Sequence, residues 1–125
     1  MKNILIVGTG TIGEPLIGLL AQHRKELGID NVSFFKRTPL SDEKGKVEAL
    51  IRKGAKLVAT SEAKNDFVSM GFSVEQLEKS YEENQVIIDC TPSGNKNWDE
   101  IYSNLDKDKR YLAQGSEHGL SLIHI

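Results

Sequence analysis

An α/β fold built on a doubly wound parallel sheet, with about five strands and flanking helices, is what the sequence predicts, on three observations. Short β-rich apolar runs recur along the 125 residues: NILIV at 3–7, NVSFF at 31–35, AKLVA at 55–59, QVIID at 85–89 and RYLAQ at 110–114. Segments with helical spacing separate most of them. The first run passes straight into a cluster of glycines. Continuous apolar runs of this length suit strands buried on both faces, and alternation with helices implies parallel pairing through right-handed crossovers.

Each element has its own signals. After the glycines, Ile12, Leu16, Leu19, Leu20, His23 and Leu27 keep helical spacing, Pro15 falls in the first turn, and Gly28 marks the stop. Ser41 can cap a second helix whose inner face is Val47, Leu50 and Ile51, closed by Gly54. Residues 60–72 are less regular and are expected to form a loop or a partial helix. Ser73 with Gln76 has capping-box spacing for a short helix carrying Leu77 and Tyr81. Asn97 with Glu100 repeats that spacing before the stripe Trp98, Ile101, Tyr102 and Leu105. No repeat or linker interrupts the chain before residue 115.

Composition narrows the function classes. Hydrophobic residues make up 38% and charged residues 27%, with a formal net charge of −2. No global field favours nucleic acid or an anionic membrane, and no apolar run approaches a membrane span. A single cysteine, Cys90, excludes an internal disulfide and fits a reducing compartment, so a cytoplasmic domain is expected.

The glycine cluster carries the strongest chemical signal. Gly8-Thr9-Gly10-Thr11-Ile12-Gly13 is a G-x-G-x-x-G hexad that follows a strand and opens a helix. In that setting Gly8 permits the tight turn, Gly10 admits a pyrophosphate to the backbone, and Gly13 allows close helix–strand packing. The helix N-terminus adds free N–H groups and partial positive charge. The competing explanation is a turn whose glycines serve packing alone. Dinucleotide binding in a Rossmann domain is the stronger reading. Lys36-Arg37-Thr38 ends the second strand, where an NAD site usually carries an acid; two cations and a hydroxyl suit the 2′-phosphate of NADP. Asp89-Cys90-Thr91-Pro92-Ser93-Gly94 ends the fourth run, so Thr91 and Pro92 should border the cofactor. Cys90 reads as a small core residue rather than a nucleophile, since no histidine base lies near it in sequence. His23 reads as a packed or snorkelling helix residue and His118 as an exposed loop residue, and no metal-ligand spacing appears.

Several pieces, in order, resemble the N-terminal NAD(P) domain of archaeal-type (type II) glyceraldehyde-3-phosphate dehydrogenase. They are VGTGTIG at 7–13, KRTP at 36–39, KGAKLVA at 53–59, IDCTPSG at 88–94 with KN at 96–97, and AQGSEH at 113–118. The resemblance covers residues 2–118. It implies that Thr11, Ile12 and Gly115 contact NADP or NAD, and that Lys36 to Thr38 surround the adenosine ribose. Departures include Glu14 where the family often has a cation, a longer stretch through Gln22 to Asn31, and Ser116 in place of a second glycine.

The family's catalytic cysteine lies in a second domain, after the Q-G-x-E segment. The resemblance therefore implies that residues 1–119 are the cofactor half of a two-domain, homo-oligomeric enzyme, inactive without the C-terminal catalytic domain. Two other readings stay open. One is another two-domain reductase of this fold, acting on a semialdehyde or on homoserine. The other is a stand-alone nucleotide-sensing module, against which Lys36-Arg37 argues. The final LSLIHI, residues 120–125, matches what a sequencing-library transposon-end adapter encodes and is expected to be a non-native tail.

Overall fold

The structure is a computed structural model that describes residues 3–8, 13–37, 43–91 and 109–113. Its strands are β1 (Asn3–Val7), β2 (Asn31–Phe35), β3 (Lys56–Ala59), β4 (Val74–Gln76), β5 (Val86–Asp89) and β6 (Arg110–Ala113). Its helices are α1 (Gly13–Gln22), α2 (Arg24–Leu27), α3 (Lys44–Arg52), α4 (Ser61–Ser69) and α5 (Leu77–Glu83). The strands pair in parallel in the order β4-β3-β2-β1-β5-β6. The chain thus winds outward from β1 to β4, then returns to add β5 on β1's other side. That is the Rossmann-like, doubly wound arrangement, with its reversal of winding between β1 and β5.

Register explains why the strands read as solid apolar runs. Ile6 lies opposite both Phe34 and Ile88, and Phe34 lies opposite Leu57, forming one apolar row. With Ile17 and Ala21 of α1, Val47 and Leu50 of α3, and Ala63 and Phe67 of α4, this row builds the larger core layer. The alternate residues Leu5, Val7, Val58, Ile87 and Tyr111 face the other layer, against Leu77 and Tyr81 of α5. Both faces are covered, so neither register of a strand can be polar. No helix among the described residues is long and apolar enough to cross a membrane.

The structure departs from the sequence-based expectations in four places. The first helix does not run unbroken to Leu27; it turns at His23 and resumes as α2, whose C-cap Gly28 adopts φ 70°, a left-handed conformation suited to glycine. Arg24 sits at the break and donates to the carbonyls of Ala21 (2.9 Å) and Lys53 (3.2 Å). Residues 61–69 form a full helix, α4, rather than a loop. Its N-cap Thr60 accepts from the Ala63 N–H at 3.4 Å.

The Ser73–Gln76 capping box does not form. Instead, residues 74–76 pair with β3, placing Val74 opposite Leu57 and Gln76 opposite Ala59, so the sheet has six strands rather than five. Gln76 is extended and makes no side-chain cap bond to α5. The backbone groups the box would have served belong partly to the sheet ladder, an instance of tertiary pairing overriding a local signal. Finally, Glu43 holds the N-cap position of α3. Ser41, expected there, and the stripe from Asn97 to Leu105 lie outside the described residues.

The amino-terminal edge of the sheet is held by polar side chains. Asn31 Nδ2 donates to Asn3 Oδ1 at 2.9 Å, and Asn3 Nδ2 donates to the Glu83 carbonyl at 3.0 Å. The backbone N–H of Asn3 donates to Gln85 Oε1 at 2.9 Å. These bonds tie the starts of β1 and β2 to the α5–β5 connection. The opposite, carboxyl edge is where ligands bind in such sheets.

Candidate functional site

At the carboxyl edge, β1 ends in Gly8, which has φ 104°. A side chain there would be strained, and its Cβ would lie 3.0 Å from Thr91 Cγ2. The third glycine of the hexad is more tightly constrained. A Cβ at Gly13 would run into the Gly8 carbonyl oxygen and sit 2.8 Å from its carbon, with Cys90 Cβ at 3.5 Å. Gly13 is buried at the first position of α1. The start of the helix therefore rests directly on the end of β1, with β5's end beside both. This close approach brings the N-terminus of α1 over the point where the sheet reverses its winding.

The end of β5 is stiffened by a buried carboxylate. Asp89, 1% exposed, accepts from the Thr91 N–H at 2.8 Å and from Thr91 Oγ1 at 2.5 Å. An aspartate bonded to the backbone two residues on makes an Asx turn, and the hydroxyl adds a second tether. The Cys90 N–H donates to the Val7 carbonyl at 2.8 Å, carrying the β1–β5 ladder past the last paired strand residue. Thr91 is thereby fixed against Gly8. The Cys90 thiol packs against the larger core layer, and burial together with the Asp89 charge pushes its pKa up to about 11. A thiol so perturbed is a poor nucleophile near neutral pH, consistent with reading Cys90 as a core residue.

At the end of β2 the structure adds a residue the sequence reading had not singled out. Lys36 is buried, with a side chain only 9% exposed, and its Nζ is ion-paired with Glu43 at the start of α3. Glu43 keeps 30% of its side chain exposed. Arg37, the other cation of the pair, is exposed. A second pair, Lys46 Nζ to Glu14 at 3.9 Å, joins α3 to the first turn of α1. Two acids and two lysines thus alternate between the glycine turn and the end of β2.

The structure therefore brings Gly8, Gly13 and Thr91 together at the β1–β5 crevice and places Lys36 and Arg37 at the neighbouring end of β2. Gly10, Thr11, Ile12, Thr38, Pro92 and Gly115 lie outside the described residues, as does His118. His23 is half-exposed at the α1–α2 turn, 3.3 Å from Glu26, remote in the chain from these strand ends. Among the described residues, no group of three or more His, Cys, Asp or Glu side chains is arranged to hold a metal ion. No protein-family model and no curated protein matches the chain.

Proposed function

We propose that this chain is the cofactor-binding half of an NAD(P)-dependent, phosphorylating glyceraldehyde-3-phosphate dehydrogenase. The observation that carries the dinucleotide part is the contact between Gly13 and the Gly8 carbonyl, a space that a single Cβ would fill. It matches the physical demand of a G-x-G-x-x-G turn, in which the third glycine lets the helix start press onto the strand and present its N–H groups to phosphate. The dehydrogenase part rests on the sequence resemblance alone.

In this reading the turn after Gly8 and the start of α1 hold the pyrophosphate, and Thr91, tethered by Asp89, lines the crevice beside it. The charged group at the end of β2 faces the adenosine ribose. The cofactor, when bound, supplies hydride acceptance. The sequence resemblance assigns the aldehyde-attacking thiolate to a second domain, and Cys90, packed and with its thiol pKa raised, is poorly suited to that role.

Titration of the purified chain with NAD and NADP, followed by calorimetry, tests the dinucleotide reading. Saturable binding of at least one of them, lost in Gly13→Val, is the expected result. Absence of binding at millimolar nucleotide by a folded chain overturns it. The dehydrogenase reading expects a serine-cysteine-asparagine-threonine type motif in the coding sequence downstream of the Q-G-x-E segment; a different catalytic motif there favours the semialdehyde or homoserine alternative.

A further inference from the structure

We propose that Glu43, seated on Lys36 where β2 ends, selects an unphosphorylated adenosine ribose and so makes NAD the preferred cofactor. This rests on the dinucleotide-binding reading given above and deepens it.

Lys36 follows directly on the last residue of β2. As a bare strand-end cation it would attract a 2′-phosphate. In the folded chain it is buried and neutralised by the Glu43 carboxylate. A phosphate monoester carries roughly −1.5 to −2 charges at neutral pH. To reach Lys36 it must displace Glu43 or approach a carboxylate of like charge, both of which are unfavourable.

A ribose hydroxyl meets a different surface. It is neutral, it can donate, and the partly exposed carboxylate of Glu43 has acceptor capacity beyond its bond to Lys36. Dinucleotide sites specific for NAD usually take such an acid from the end of the second strand. Here β2 ends in Lys36-Arg37, and the next helix supplies the acid instead, oriented by the lysine it neutralises. Glu43 therefore acts as a specificity-determining residue, and Lys36 as its positioning partner. Glu14, paired with Lys46 at 3.9 Å, brings a second negative charge to the same cleft without touching Lys36. It repels a 2′-phosphate as it repels the other nucleotide phosphates, but it is not seated on Lys36, so its removal costs the ribose hydroxyl no acceptor.

The test is calorimetric titration of wild type, Glu43→Gln and Glu14→Gln with NAD and with NADP, alongside thermal melts without nucleotide. In Glu43→Gln, NAD affinity is expected to fall several-fold and NADP affinity to rise, moving their ratio about tenfold or more. In Glu14→Gln neither affinity is expected to fall. If Glu43→Gln binds both nucleotides but leaves their ratio as in wild type, or moves both by the same factor as Glu14→Gln, Glu43 has no selective role. If wild type already prefers NADP, the proposal is also wrong. Failure of all three proteins to bind either nucleotide overturns the dinucleotide reading and this inference with it. Should the melts show Glu43→Gln unfolded, Glu43→Asp, whose carboxylate is withdrawn by one methylene, is read by the same ratio and the same criteria.

Discussion

An alanine Cβ at Gly13 would meet the backbone of Gly8, which cannot swing aside, whereas one at Gly18 would meet the far end of Lys53, 3.2 Å away. Lys53 is exposed and can give way. The two substitutions in α1 are therefore expected to act oppositely. Gly13→Ala should destabilise by about 1–3 kcal/mol, as overpacking does, and should weaken nucleotide binding because α1 is lifted from β1. Gly18→Ala should stabilise by about 0.5–1 kcal/mol by removing a helix-interior glycine, with binding unchanged. Urea denaturation of both variants checks the pair; a Gly13→Ala protein as stable as wild type would mean that the glycine turn is not packed as described. The glycines were legible in the sequence because their spacing encodes backbone contacts. Glu43 was not, because its partner, Lys36, lies seven residues earlier, and only the placement of α3 beside the end of β2 joins them.

Helix α4 and strand β4 show how far elements can be read before packing is known. Four of the five strand runs stand out because each lies inside the sheet, is covered on both faces and is written largely in apolar residues. The β4 residues Val74, Glu75 and Gln76 lack that mark: they form an edge strand that pairs on one side only, with β3. Helix α4 buries only Ala63 and Phe67, one pair at i and i+4, too short a stripe to establish a period. What secures its start is the Thr60 hydroxyl, which accepts from the Ala63 N–H at 3.4 Å. Thr60→Ala is expected to cost about 0.5–1 kcal/mol, towards the lower end of measured caps because the bond is long, while Thr60→Ser should keep most of it. Equal midpoints for the two variants in chemical denaturation would show that the cap contributes nothing and that Phe67, packed on Phe72, anchors α4 alone.

Across the whole molecule, the end of β5 links the two core layers electrostatically. Asp89 is buried in the sheet, Cys90 beside it packs in the larger layer, and Tyr81 of α5 packs in the smaller. Burial first, and the Asp89 charge second, push the Cys90 thiol from 9.0 up to about 11. Burial, then Asp89, then Glu78 push the Tyr81 hydroxyl from 10.0 up to about 12. In both cases the folded chain keeps a proton that the unfolded chain releases, so raising the pH favours unfolding. The stability these groups contribute is complete below pH 9 for Cys90 and below pH 10 for Tyr81. It drains away as the pH climbs to about 11 and about 12 respectively. Melting temperatures recorded from pH 8 to pH 12 should therefore fall most steeply above pH 9. Cys90→Ala with Tyr81→Phe removes both ionisations, so its melting temperature should decline less steeply over the same range, whatever its level at pH 8. The slope is the quantity to compare, because the lost sulfur and hydroxyl contacts lower the curve as a whole without tilting it. A double variant whose melting temperature falls as steeply as that of wild type would show that the alkaline response arises elsewhere, and that the Asp89 charge does not couple the two layers.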